Sequence, residues 1–179
     1  MTIKALAPPV GAWPLATAVL LAVAGPALAI DTPNERLSLG GLTSVHVVVD
    51  DPAPAAEQQG VTRAGLQAEV EGRLRRAGLI VLGAVDALKA AGRPTLHLRV
   101  ELIPFGDPPR LWIYSVDLTL RQRTQLTRDR TVETYTITWG DTRKVGAVEP
   151  GGFGVVRDLV RAKVEEFVRA WQTVNEFRQ

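Results

Sequence analysis

Two runs of strict alternation in the middle of the chain constrain its fold most. Leu96, Leu98, Val100 and Leu102 alternate with His97, Arg99 and Glu101, and a two-residue period puts one set on each face of a strand. The second run extends from Leu111 to about Gln125. It sets Trp112, Tyr114, Val116, Leu118 and Leu120 on one face, and Ser115, Asp117, Thr119, Arg121 and Arg123 on the other. Between the runs, Gly106-Asp107-Pro108-Pro109 has turn chemistry. Residues 131–139, rich in Thr, Tyr and Ile, are expected to return as a third strand after a hairpin turn at Thr127-Arg128-Asp129-Arg130. A meander with one apolar face must bury that face against a second layer.

The second layer flanks the meander in sequence. Thr62 is placed to cap a helix in which Leu66, Val70, Leu74 and Ala77 recur at helical spacing, and Gly78 supplies the left-handed residue that ends it. The chain closes on a helix over about 154–177. Its apolar stripe is Val156, Val160, Val164, Phe167, Trp171 and Val174; Arg157, Arg161, Lys163, Glu165, Glu166 and Arg169 are assigned to its wet side. Residues 45–49 form a β-branched run that stops at Asp50-Asp51-Pro52, and 79–82 suggest a short buried strand. Residues 30–44 look like a loose lead-in, 50–61 a loop, 84–91 one helical turn, and 140–152, with four glycines, a flexible connector. The order β-α-β-β-β-β-α predicts an α+β fold of two layers. It has a four- or five-stranded mixed, mainly antiparallel sheet with two helices on one face. The first helix then makes a right-handed crossover between parallel strands.

Composition adds where the chain goes. Residues 1–29 carry one charge, Lys4, then an apolar run over 15–23, a break at Gly25-Pro26 and the small-residue exit Ala27-Leu28-Ala29. That order is a secretory signal cleaved after Ala29. The run reaches the ~20 residues needed to span a bilayer only by including Pro14, Gly25 and Pro26. The expected organisation is a signal peptide at 1–29 and a single α+β domain at 30–179. That domain would be periplasmic or secreted, without stable membrane insertion after cleavage. The 179 residues contain no cysteine, so disulfides, thiolate metal sites, a cysteine nucleophile and a lipidated amino-terminal cysteine are excluded chemically. Beyond residue 29 the chain has 20 basic and 19 acidic residues with no block of like charge, which argues against a nucleic-acid partner.

Catalytic chemistry is thin. None of Ser38, Ser44 and Ser115 sits in a G-x-S-x-G elbow. Ser115, Asp117 and His97 share a face, but strand neighbours two apart stand roughly 6.5–7 Å from one another. His97 and Glu101, four apart on a strand, are spread to roughly 13 Å, beyond one metal's reach. Asp50-Asp51 at a strand end is read as turn chemistry. Gly151-Gly152-Phe153-Gly154 lacks the Lys-Ser/Thr pair of a phosphate loop and suits a flexible helix start. Trp139 and Trp171 are expected in the core. Neither a metal nor a cofactor is expected. The candidate binding surface is the sheet face without helices, bearing His97, Arg99, Glu101, Asp117, Arg121 and Arg123. The plain alternative is a solvated face of cross-strand charge pairs.

The leader, the helix ending in "LRRAGLIVL", the aromatic "TITW" strand and the closing helix ending in "VNEF" together resemble small exported bacterial proteins. The layout, over about residues 37–177, is similar to periplasmic accessory domains, such as the amino-terminal domain of the Tol-Pal translocation protein and the lipopolysaccharide-assembly lipoprotein. The chain departs from such lipoproteins in lacking the lipidated cysteine. The resemblance implies a non-enzymatic binding or accessory role in the bacterial envelope, with an envelope protein or polymer as partner. Two alternatives stay open. One is a small hydrolase or lyase drawing two carboxylates from Asp50, Asp51, Glu101 and Asp117. The other is a small-ligand carrier with an apolar cavity between sheet and helices. The oligomeric state is left open.

Overall fold

A computed structural model describes residues 32–140 and 142–176; the expected signal segment lies outside them. The lead-in contains a short helix, α1 (Pro33–Leu37). The Thr32 hydroxyl accepts from the Glu35 N–H, and the Glu35 carboxylate accepts in return from the Thr32 N–H at 2.8 Å, a reciprocal cap that lets so short a turn persist. After β1 (Ser44–Val49), the expected loop holds a second short helix, α2 (Pro54–Gln58), with Pro54 in its first turn. The expected amphipathic helix follows as α3 (Arg63–Arg76), its Thr62 hydroxyl accepting from the Gly65 N–H at 3.2 Å. Gly78 at φ 96° turns the chain out of it, a conformation that costs a glycine little. Then come β2 (Ile80–Leu82), the single turn α4 (Ala84–Ala87), β3 (Thr95–Phe105), β4 (Leu111–Leu126), β5 (Asp129–Gly140), β6 (Lys144–Val148) and the long α5 (Gly154–Glu176).

The strands form one mixed sheet in the order β2-β1-β3-β4-β5, with β6 also on β4. β1 is parallel to both β2 and β3, as a crossover through α3 requires, and the other pairings are antiparallel. The fold class is the expected one, with one strand more. Residues 144–148, taken from sequence as connector, pair with Trp112–Val116 of β4, while β5 pairs with its residues 119–126. The 12-residue β5 and the five-residue β6 therefore share one edge of β4 end to end. The glycine that made this segment look flexible is there for close approach: a Cβ at Gly146 would collide with the Tyr114 ring.

The two long helices cover one face. Val45, Val47 and Val49 of β1, Leu96 to Leu102 of β3 and Trp112, Val116, Leu118 and Leu120 of β4 meet Leu66, Val70 and Leu74 of α3 and the stripe of α5 in a single core. Trp139 stacks edge-on against Phe167 at 5.1 Å, and Trp112 against Phe153 at 5.4 Å. Phe153 thus pins the start of α5, where the glycine run had suggested only flexibility. Three expectations need correction. Lys163 is buried at 2% exposure rather than solvated, because it lies three residues after Val160, on the flank of the stripe; its ammonium donates to the Thr142 carbonyl at 2.7 Å. β2 is an edge strand with Ile80 at 60% exposure, not a buried one. The second face is not wholly bare, since α4 stands at its β1 corner, beside His46.

Candidate functional site

The strand register arranges the outer face in rows. Val48, His97, Thr119 and Gly140 form one, and Arg99 and Asp117 sit opposite each other in the next. Glu101, Ser115 and Val145 make a third, followed by Ile103, Ile113 and Ala147, and then Phe105 with Leu111 at the β3–β4 turn. At the other end, Thr95, Arg121 and Ile137 are aligned, with Arg123 opposite Tyr135 beyond them. The face is therefore graded: a polar belt across its middle, and an apolar end where Ile103, Phe105, Ile113 and Val145 are 40–66% exposed.

The belt is organised by a residue read from the sequence as turn chemistry and as one of four candidate carboxylates. Asp50, just past β1, accepts from His97 Nε2 at 2.6 Å through one oxygen and from Arg99 Nε at 2.9 Å through the other. Burial pushes the Asp50 carboxyl up, but the hydrogen bonds and charges of His97 and Arg99 outweigh it and hold the carboxyl below the ordinary aspartate range. The same contact holds the proton on Arg99 more firmly, first through its hydrogen bond to Asp50, with Glu101 and Asp117 adding their charge. Asp51 points elsewhere, to Arg63 at 3.0 Å. Nothing in the sequence ties Asp50 to His97, 47 positions away; a clue was the hard end of β1 beside an alternating strand of complementary charge.

The six candidate residues thus share a face but not one cluster. His97 and Arg99 converge on Asp50, and Glu101 lies one row on, against Ser115. Asp117 faces Arg99 and lies 3.8 Å from Arg143. Arg121 stands apart with a buried Nε that has no hydrogen-bond partner, and Arg123 pairs with Glu133 at 3.1 Å. Thr119, assigned to this wet face, is 4% exposed beneath its neighbours. The carboxylate pool does not meet in a concavity: Asp50, Glu101 and Asp117 surround Arg99 on an open face. Two clefts on the helical side hold one carboxylate each, Glu69 beside Arg157 and Arg161, and Glu165 beside Arg73 and Arg169. No group of three or more metal-ligating side chains occurs among the described residues.

A third cleft, of about 700 Å³, opens on the outer side between α4 and β5. Ala84, Ala87 and Leu88 form one wall, the Tyr135 ring with Glu133 the other, and His46 and Thr95 the floor. This cleft does not lie between sheet and helices, where the carrier alternative would put an apolar cavity; the core packs there. Sequence reading missed it because its walls lie some 50 residues apart in the chain.

Among the described residues no helix is long and apolar enough to cross a membrane. No family model and no curated protein matches the chain. Among solved structures, it is similar to two of a PelC dodecamer from Paraburkholderia phytofirmans. One has a TM-score of 0.42 at 11% identity, over 74% of this chain and 89% of that one. The other has a TM-score of 0.38 at 15% identity, over 83% and 92%. A minor lipoprotein from Acinetobacter baumannii is similar at a TM-score of 0.27 and 10% identity, over 74% of this chain and 93% of that one.

Proposed function

We propose that this chain is an exported, non-enzymatic envelope protein that binds a protein partner through the outer face of its sheet. The observation that carries this reading is the uncovered apolar end of that face, Ile103, Phe105, Ile113 and Val145, adjoining the belt of Asp50, Arg99 and Asp117. A contiguous apolar patch beside polar groups is the composition of an interface, with anchors to exclude water and charges to set register. Such a surface suits another protein better than a neutral polymer, which would offer few apolar anchors. A recognition role over proton transfer is supported by the engagement of the carboxylates: Asp50 is held ionised between two donors, and Asp117 lies against arginines. Export is supported by the order Lys4, the apolar run over 15–23 and Ala27-Leu28-Ala29; a mature protein beginning at Ile30 is the result to expect from amino-terminal sequencing.

The test is capture from periplasmic extract with two variants of unaltered circular dichroism. One carries Arg99→Ser, Arg121→Ser and Arg123→Ser; the other carries Ile113→Asp. Loss of the same captured protein from both supports the reading, and undiminished capture by both overturns it.

A further inference from the structure

The cleft between α4 and β5 is remote from the apolar end of the face, and of the residues named in the reading above it shares only Arg123, at its rim. Its chemistry is lopsided. The walls are apolar where they face each other, Ala84, Ala87 and Leu88 against the Tyr135 ring, and Leu88 is 62% exposed. A leucine and a tyrosine ring held open to water across a concavity gain by closing on an apolar body. The volume, about 700 Å³, falls within the roughly 300–1,000 Å³ of small-molecule sites.

The charges at the mouth select the head group. Arg123 is already neutralised by Glu133 at 3.1 Å. Arg93 is not: its Nε donates to the Leu88 carbonyl at 3.2 Å, and among the described residues its two terminal nitrogens have no hydrogen-bond or ion-pair partner. That one bond fixes the guanidinium stem to the apolar wall and leaves its outer edge, the fork that matches a carboxylate, free at the rim. The opposite wall is fixed too. The Tyr135 hydroxyl donates to the Arg93 carbonyl at 2.8 Å and lies 2.6 Å from the Thr95 hydroxyl, so it ties β5 to the segment that carries the cation. On the floor, His46 is held by its Nδ1, which donates to the Leu82 carbonyl at 2.9 Å. The cleft is thus preformed, apolar within and carries one uncompensated positive charge at its mouth.

We propose that this cleft binds a small amphipathic anion, an acyl or aryl carboxylate, with its apolar body between Leu88 and Tyr135 and its carboxylate on Arg93. Neutral and cationic amphiphiles share the apolar contact but lack the ion pair, so head-group discrimination is the signature of the site. Glu133 opposes the ligand's charge, and removing its charge frees Arg123 to join Arg93.

The experiment titrates the protein with decanoate, decanol and decyltrimethylammonium, each below its micelle concentration, by calorimetry with native mass spectrometry for stoichiometry. One decanoate per chain is expected, at least ten-fold tighter than decanol, with the cation weakest. Arg93 sits at φ 47°, so Arg93→Gly removes the guanidinium without straining the backbone; it is expected to bring decanoate to the affinity of decanol. Leu88→Glu, at an exposed position that the fold does not need, is expected to abolish binding of decanoate with an unchanged melting temperature. Glu133→Gln is expected to tighten decanoate several-fold. Equal affinity for decanoate and decanol in the native protein, or undiminished decanoate binding by Leu88→Glu, overturns the proposal. Neither result bears on protein capture by the far end of the face.

Discussion

β4 passes through two environments along one continuous strand. Under the helices, its inward positions are Trp112, Tyr114, Val116, Leu118 and Leu120, all at 4% exposure or less except the half-buried Tyr114. Past Leu120 the same side of the strand carries Gln122 and Thr124, and the partner strand is exposed on both sides from Asp129 to Ile137. The first half is one face of a core; the second is the base of a bare hairpin arm. Alternation alone specifies a strand in both halves. The kind of residue at the inward position decides whether a second layer is present, and polar inward residues mark where α5 stops covering the sheet. Where the arm leaves the core, Gln122 secures it by donating to the Thr138 hydroxyl at 2.8 Å.

The largest effect that sharpens this contrast compares two residues of the same strand, β5. Trp139 is fully buried against Phe167, while Val132 in the arm is 43% exposed. Trp139→Ala is expected to cost about 3–5 kcal/mol, the range for large aromatic truncations in a core. Val132→Ala is expected to change stability by no more than ~0.5 kcal/mol. Urea denaturation of the two variants measures the difference; similar costs would mean that the arm packs against something that holds it as firmly as the core.

The next effect is at Asp50 and depends on pH. Its folded carboxyl titrates below the ordinary aspartate value of about 3.9. The ionised form is therefore stabilised by folding, and that contribution is complete above the ordinary value and lost as pH falls through the folded one. Asp50→Asn is expected to destabilise by about 0.5–1.5 kcal/mol at neutral pH, its partial exposure keeping the effect modest. The gap from the native protein should shrink below pH ~4. A gap independent of pH would mean that the carboxylate's charge is not what His97 and Arg99 respond to.

The smallest effect tests how the arm is held. Tyr135→Phe removes the hydroxyl that bridges to Arg93 and Thr95. It is expected to cost about 0.5–1 kcal/mol overall and to speed amide exchange over residues 129–137, leaving residues 112–120 unchanged. Faster exchange in both segments would erase the distinction between core half and arm.

What was legible in the sequence follows the same division. The stripe of Leu66, Val70 and Leu74, the cap at Thr62, and the two faces of β3 and β4 are local patterns, and local patterns record which side is covered. Long-range pairings are not local. Asp50 meets His97 across parallel strands whose register depends on how the crossover packs, and the cleft exists only once Leu88 and Tyr135 are brought together. β6 was hidden for another reason: Gly146, needed for the close approach of Tyr114, lowers the strand signal of its own segment. Lys163 was misassigned because charge was taken to mean solvent, whereas a long amine at the edge of a helical stripe can reach a carbonyl from within.

The central claim is that the outer face, not the helical layer, meets the partner. Site-specific photocrosslinking in the producing cell tests it most directly. A photoreactive residue at position 113, in the apolar end of the face, is compared with one at position 169, on the exposed side of α5. A discrete adduct from position 113 that disappears when Arg99→Ser is added, with none from position 169, is the predicted result. An adduct from position 169 and none from position 113 would contradict it.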